Sequence, residues 1–191
     1  MNGYLQRSSW KAGLVALMVL AAFAATALVG LSAAARGESE TKQQPITVTE
    51  ITRRSDFTDH VTMQIRLKMS GRSRQFLRLP DPSSVAMAEI KIQPGAAFPW
   101  HTHPGPVIVT VKEGELVYVY ADDCRERTYP AGTAFVDPGY GSIHSAYNPT
   151  DKQTVVMATF LDAPKEGALT IASGSTPPGS CGIPGSMQGS H

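Results

Sequence analysis

This chain has few cysteines, nearly balanced positive and negative charges and, over residues 45–164, no helical periodicity. Its 191 residues include only two cysteines, and neither stands in a C-x-x-C pair or a Cys/His cluster, which argues against a metal bound through sulfur. Lys and Arg number 17 against 16 Asp and Glu, and no basic stripe is visible, so nucleic acid is not expected as a partner. The sequence also lacks a dinucleotide fingerprint, a phosphate-binding Gly-rich loop and a Ser-His-Asp constellation that spacing would support.

Residues 45–164 contain no stretch that keeps helical periodicity over ten residues. Short segments rich in β-forming residues alternate with turn residues instead. In residues 60–69 apolar and polar side chains alternate, which predicts a half-buried strand. Further strands are predicted at residues 46–51, 85–92, 106–111, 115–120, 133–136, 144–147 and 153–161. Residues 112–114 are predicted to form a hairpin turn, and the whole pattern is typical of an all-β sandwich or barrel.

The first residues read as a targeting segment. Arg7 and Lys11 precede an uncharged run over residues 12–31, which as a helix would span about 30 Å, the thickness of a bilayer core. Because Ala-Ala-Ala at 33–35 resembles a cleavage site, an uncleaved anchor and a cleaved signal both remain open. Either one places the following residues outside the cytoplasm, anchored to the membrane or secreted into a periplasmic or extracellular space. The predicted organisation is a signal anchor or signal peptide at 1–36, a polar linker at 37–44, a β-barrel at 45–164 and a Gly/Pro/Ser-rich tail at 165–191.

The two cysteines fit an outward location. Cys124 lies in a polar loop between predicted strands and Cys181 lies in the tail. In an oxidising compartment an even pair predicts a disulfide, which would fasten the tail to the domain. Two free thiols are the alternative.

Three of the five histidines form the strongest candidate site. His101 and His103 stand two residues apart on a predicted extended segment, so both rings point to the same face. His144 begins a later predicted strand. A neutral imidazole is a common metal ligand, and the three together predict a metal site. His60 follows an acidic loop and His191 ends the tail, so neither is a candidate.

Two motifs in this region resemble those of the cupin superfamily. The first is Gly95, five residues, His101-Thr-His103 and, after a strand, Gly114; the second is Gly132, five residues, Pro138, then Gly141, His144 and Asn148. The resemblance covers roughly residues 85–161. It implies a double-stranded β-helix, or jelly-roll, barrel that holds a metal ion through the motif histidines, here preceded by one N-terminal hydrophobic helix. The pairing of Cys124 with a cysteine in a Pro/Gly tail also resembles exported single-domain cupins.

The motifs depart from the family pattern at two points. Val107 stands where a Glu is usual, and the second motif has one additional residue between Pro138 and Gly141. Asp137 is close by, but a carboxylate at a strand end is expected to be solvated. The expectation is therefore a site of three imidazoles without a protein carboxylate. Such a site suits zinc or iron, with manganese, nickel and copper as open alternatives.

Three functions remain open on these residues. The first is a small-molecule or metal-binding module, which the missing Glu favours slightly. The second is a metal-dependent enzyme of dioxygenase, isomerase or hydrolase type acting on a small organic substrate. The third is a purely structural barrel without metal. Tyr118, Tyr120 and Tyr147 are candidates either for core packing or for proton donation. The family resemblance also implies that a homodimer is an open possibility.

Overall fold

The computed structural model of the chain describes residues 45–173, Cys181 and Ile183. Twelve strands make up this part of the chain, and it contains no helix. They are β1 (Ile46–Asp56), β2 (Met63–Leu67), β3 (Gln75–Leu79), β4 (Ser84–Ile92), β5 (His101–Thr102), β6 (Val107–Glu113), β7 (Glu115–Tyr120), β8 (Glu126–Pro130), β9 (Ala134–Asp137), β10 (His144–Tyr147), β11 (Thr154–Phe160) and β12 (Ile171–Ala172). The predicted all-β class is therefore confirmed.

The predicted N-terminal helix, the linker and most of the tail lie outside the described residues. Within the part that is described, no helix is long and apolar enough to span a bilayer. The anchor, the signal and the domain boundaries consequently stay predictions.

Two five-stranded antiparallel sheets carry the architecture. One has the order β1-β4-β11-β6-β9 and the other the order β12-β5-β10-β7-β8, while β2 and β3 form a separate ribbon. The two sheets face each other, because one buried apolar cluster draws on both of them. Its members are Ile92, Val111, Phe135 and Val156 from the first sheet and Leu116, Tyr118, Tyr120 and Ala146 from the second. This arrangement is consistent with a jelly roll.

The strand predicted at residues 60–69 is present as β2. Its apolar face is half-buried and the intervening polar residues are exposed, as the alternation predicts. Its partner β3 has the same alternation of half-buried and exposed side chains.

The hairpin predicted at residues 112–114 is wrong. β6 and β7 are not paired with each other but belong to opposite sheets, so the chain crosses between sheets at Gly114. Gly114 has a φ of 75°, and a Cβ there would lie 2.6 Å from the Thr154 hydroxyl oxygen. A corner packed this closely against a neighbouring strand needs glycine for the same reason that a hairpin does, which is why the residue pattern alone does not distinguish the two.

The C-terminal segment is fastened to the second sheet. Cys124 and Cys181 form the predicted disulfide, with their Cα atoms 4.9 Å apart. Beyond it Ile183 is buried in a cluster with Val117, Val119 and Tyr147. β12, within the segment predicted as a tail, pairs with β5 and so lies beside the histidine pair.

Candidate metal centre

The three predicted histidines come together at one end of the second sheet. His101 opens β5 and His144 opens β10, and the two are direct partners across the antiparallel pair. His103 lies two residues beyond His101 and shares its buried face, whereas Thr102 between them is half-buried. One ring nitrogen from each histidine lies within 4.8 Å of the other two. The period-two argument from the sequence predicted that His101 and His103 share a face, and the motif resemblance predicted that His144 joins them.

A backbone carbonyl holds each imidazole in place. His101 Nδ1 lies 2.7 Å from the Pro99 oxygen, and His103 Nδ1 lies 2.7 Å from the Leu169 oxygen. His144 Nδ1 lies 3.0 Å from the Ser142 oxygen. A carbonyl can only accept, so each Nδ1 carries the proton and donates it. The unprotonated Nε2 atoms are left for a metal ion, which is the usual arrangement around ligating histidines.

Burial keeps the imidazoles of His101 and His103 uncharged. Desolvation, reinforced by the neighbouring His144, lowers the pKa of His101 to about 3. Desolvation also lowers the pKa of His103, although the Asp137 carboxylate opposes this shift. At neutral pH both rings are therefore neutral ligands that need not lose a proton before binding a cation.

The candidate ligand group consists of the three histidines, but the expectation that Asp137 is solvated is wrong. Asp137, the last residue of β9, is only 1% exposed. Its Oδ2 lies 2.9 Å from His144 Nε2 and 3.5 Å from His103 Nε2. Burial raises the pKa of this carboxyl, but contact with His144 and His103, which attract the carboxylate when their rings are protonated, lowers it by more, so the pKa lies below its usual range. The carboxylate is thus ionised within the histidine cluster.

The contact between Asp137 and His144 is a test of whether a metal ion suits the site. Because His144 Nδ1 carries one ring proton, Nε2 and the carboxylate oxygen are both acceptors unless a cation lies between them. A second proton or a metal ion can play that part. Two ligands held about 2.0–2.2 Å from one ion lie on the order of 3–4 Å from each other, and the separations of 2.9 and 3.5 Å match this. The donor set of imidazoles and carboxylate thus fits a divalent metal.

The turn after β9 fixes the carboxylate. The Gly139 N–H donates to Asp137 Oδ1 at 2.8 Å, which leaves Oδ2 to face the histidines. Gly139 has a φ of 61°, and a Cβ on it would lie 2.1 Å from the Gly105 oxygen. The Tyr140 N–H donates to the His103 oxygen at 3.0 Å. The additional residue of the second motif therefore lies in a turn that joins the carboxylate to the loop after the histidine pair.

A cavity of about 350 Å³ opens onto the centre. The three histidines and Asp137 line it together with mostly apolar side chains, which include Ala86, Ala88, Ile90, Val107, Val109, Ala158, Phe160 and Leu169. Val48 lies at its rim and is 62% exposed, so the cavity reaches solvent beside β1. Its volume is at the lower end of the range for small-molecule sites, about 300–1,000 Å³.

Tyr118 contributes a polar group to the cavity. Its ring stacks on His144 with centroids 4.8 Å apart. Its hydroxyl is buried and makes no hydrogen bond of good geometry within the described part of the chain. Burial, and then the nearby Asp137 and Tyr120, raise the pKa of this hydroxyl well above its usual value, so it remains protonated. An unused donor beside a cluster of ligands is a feature that a bound molecule would satisfy.

The other residues singled out in the sequence have structural roles. Asn148 is buried, and its Nδ2 donates to the Ile92 and Lys152 oxygens at 3.0 and 2.6 Å, so it closes the turn between β10 and β11. The Tyr120 hydroxyl donates to Met69 Sδ. Tyr147 lies away from the centre, and its hydroxyl donates to Glu126. His60, which the sequence excluded as a candidate, is exposed and lies near Asp81.

The comparisons with known proteins agree with this architecture. Residues 88–160 match the family model described as Cupin domain. No curated protein matches the chain.

The solved structures that match part of this chain include an enzyme and a regulator domain. The polyketide cyclase RemF from Streptomyces resistomycificus is 18% identical, with a TM-score of 0.41, and the match covers 48% of this chain and 62% of the cyclase. The Cupin_2 domain of an XRE family transcriptional regulator from Enterobacter cloacae is 17% identical, with a TM-score of 0.41, covering 63% of this chain and 99% of that domain. A cupin-like protein from Thermotoga maritima is 25% identical, with a TM-score of 0.37, covering 40% and 56%. The chain thus spans about three fifths of the length of the cyclase structure that it matches.

Proposed function

We propose that this protein binds a divalent metal ion through His101, His103 and His144, with the Asp137 carboxylate beside them, and admits a small organic molecule to the adjoining cavity. The match of residues 88–160 to the Cupin domain model supports this proposal. The observation that carries the proposal is the orientation of the three imidazoles. Each donates its Nδ1 proton to a backbone carbonyl and turns its other nitrogen towards one point, beside a buried carboxylate. Zinc and iron suit these donors best, and manganese, nickel and copper are the alternatives that metal analysis would separate.

A bound metal ion in such a site supplies Lewis acidity to an oxygen of the ligand. The protein's own residues supply the rest. Phe160 and the small apolar side chains of the cavity exclude water, and the Tyr118 hydroxyl can donate to an acceptor on the ligand. The Gly139 N–H and the Ser142 and Leu169 carbonyls keep the donor atoms in position before any ligand arrives. This pre-organisation favours binding because little has to be ordered when it occurs.

The second candidate function is a metal-dependent enzyme. Val107, where a Glu is usual, weakens this hypothesis. Asp137 strengthens it, because its carboxylate lies beside the histidines. The Asp137 carboxylate can accept a hydrogen bond and the Tyr118 hydroxyl can donate one, so the two can orient a substrate in the same cavity. Oxygen uptake and product analysis with small thiols, diketones and phenolics, on protein loaded with zinc or iron in turn, would distinguish an enzyme from a binding module.

Metal analysis of the full chain tests the main proposal. Protein purified without chelator should carry close to one divalent ion per chain, and His101→Ala and His144→Ala should each remove most of it. Metal should also raise the melting temperature of the wild type and not that of these variants, because an ion that binds only the folded state stabilises it.

His60→Ala is the matched control, because His60 is exposed and lies outside the cluster. It should leave occupancy unchanged. Occupancy below about 0.2 ion per chain in the wild type, or full occupancy in both site variants, would contradict the proposed site.

We also propose that the domain works outside the cytoplasm. The apolar run at residues 12–31 supports export, and the Cys124–Cys181 disulfide supports an oxidising compartment. Protease added to intact cells or spheroplasts should degrade the domain, and the native protein should run as disulfide-linked in non-reducing gels. Sizing of the purified chain would test the open expectation of a homodimer.

A further inference from the structure

Arg54 occupies an irregular position on the edge strand β1. The pairing of β1 with β4 shifts between Thr52, opposite Met87, and Ser55, opposite Val85. Between these two pairs β1 advances by three residues and β4 by only two. β1 therefore contains one additional residue and has a β-bulge at Arg53 and Arg54. A bulge re-aims a side chain relative to the regular alternation. Arg53 is exposed, while Arg54 is half-buried and lines the cavity of the metal centre.

The guanidinium of Arg54 is only partly satisfied. Nη2 donates to the Gly167 oxygen, and Nε is buried without a hydrogen-bond partner among the described residues. A buried donor on a charged group that lacks a partner is costly to the folded protein. Most side chains that line the cavity are apolar, such as Ala86 and Ala88, and cannot accept a hydrogen bond. Such a donor is expected to have an acceptor when the cavity is filled.

We propose that Arg54 binds the carboxylate of a small organic acid whose apolar body lies in the cavity and whose other end reaches the metal centre. This inference deepens the proposed function and rests on it for the presence of a small-molecule site. A guanidinium presents its donors in a planar fork that matches the two oxygens of a carboxylate. The apolar lining between Arg54 and the histidines selects the hydrocarbon part of the same molecule.

Glu50 is the charged group that opposes this assignment. It lies on the same strand and lines the same cavity, so its carboxylate repels an incoming anion. Glu50 is exposed, and water and salt therefore screen its charge more than that of half-buried Arg54. Its replacement by a neutral residue provides a control of opposite sign on the same rim.

Binding of matched acids and amides tests the inference. The probes are benzoate against benzamide and hexanoate against hexanamide, each pair equal in shape and different in charge. Calorimetry or ligand-detected NMR on the full chain, with metal and after chelation, should show at least one acid binding at least tenfold tighter than its amide. Arg54→Gln should abolish that preference without changing metal content, Arg54→Lys should keep part of it, and Glu50→Gln should keep or increase it.

The outcomes separate this inference from the proposed metal site. If the preference survives in Arg54→Gln, or if the wild type does not distinguish either acid from its amide, the inference is wrong. Loss of the preference in His101→Ala together with its retention in Arg54→Gln would place the carboxylate on the metal and likewise overturn it. An Arg54-dependent preference in a protein that holds no metal would support the inference while refuting the metal site.

Discussion

Val107 and Asp137 are direct partners across the antiparallel pair of β6 and β9. Val107 stands where the cupin pattern has a Glu, and Asp137 points into the same cavity from the neighbouring strand. Residues opposite each other in such a pair have Cβ atoms about 4.5–5.5 Å apart. A carboxylate therefore lies beside the histidines, on the strand next to the position where the cupin resemblance would place a Glu.

This relationship predicts that a carboxylate at position 107 can partly replace the carboxylate of Asp137. Asp137→Asn should lower metal affinity by about 10–100-fold or more, because a neutral amide replaces an anionic oxygen at the histidines. Adding Val107→Glu to that variant should restore part of the affinity, whereas adding Val107→Gln, equal in size, should not. Titration of chelated protein with zinc against a competing dye measures all three. Unchanged affinity in Asp137→Asn would show that the carboxylate does not contact the ion.

Tyr118 should be replaceable at a gain in stability. Its buried hydroxyl lacks a good hydrogen bond, so Tyr118→Phe should raise the free energy of unfolding of the metal-free protein by about 1 kcal/mol. Tyr120→Phe is the matched control, because that hydroxyl donates to Met69 Sδ and its removal should be destabilising or neutral. Urea unfolding of chelated protein gives both values. If Tyr118→Phe were the more destabilising of the two, the hydroxyl would have a partner after all.

The turn after Asp137 should tolerate no side chain. Gly139→Ala should destabilise the domain by about 3 kcal/mol or more, because its Cβ would overlap the Gly105 oxygen in a left-handed backbone conformation. It should also lower metal occupancy, since the Gly139 N–H holds Asp137. Gly132→Ala has a similar φ of 84° with no atom within 4 Å, so it should cost only the strain of about 1–2 kcal/mol. Equal effects from the two variants would mean that the close contact with Gly105 is unimportant.

The disulfide should stabilise the domain measurably. Replacing both Cys124 and Cys181 by Ser should lower the free energy of unfolding by about 2–4 kcal/mol, because the cross-link restricts the unfolded chain over a separation of 57 residues. A thiol reductant should lower the melting temperature of the wild type and leave that of the double variant unchanged. A reductant that acts equally on both proteins would point to an effect unrelated to this bond.

The sequence predicted the all-β class and the shared face of His101 and His103 because both depend on a period of two along a strand. His144 joined them only through the motif resemblance. The sequence failed where the answer depends on which strands pair. The pattern at Gly114 predicts a hairpin, but the chain crosses between sheets there, and both kinds of turn require a glycine. Pairing of β5 with both β10 and β12 depends on contacts between distant segments, which no local pattern reports.

The burial of Asp137 follows from a pattern that the sequence contains, the alternation of inward and outward side chains along β9. Phe135 and Asp137 are both buried and Val136 between them is less so, which is the ordinary alternation of a strand. This alternation, continued by two residues past Phe135, predicts a buried carboxylate on the same face of the strand. The position at a strand end predicts the opposite, a solvated carboxylate. The pairing of Asp137 with buried Val107 decides between these two predictions.

The Leu169 carbonyl that orients His103 has a consequence for how the protein is made. Every candidate ligand, from His101 to His144, leaves the ribosome before this acceptor does. A growing chain that ends after β11 contains all four donor groups but lacks both the carbonyl that sets the His103 tautomer and the β12 strand that flanks β5. The centre can therefore reach its final arrangement only late in synthesis, after the strands that carry it are already available to fold.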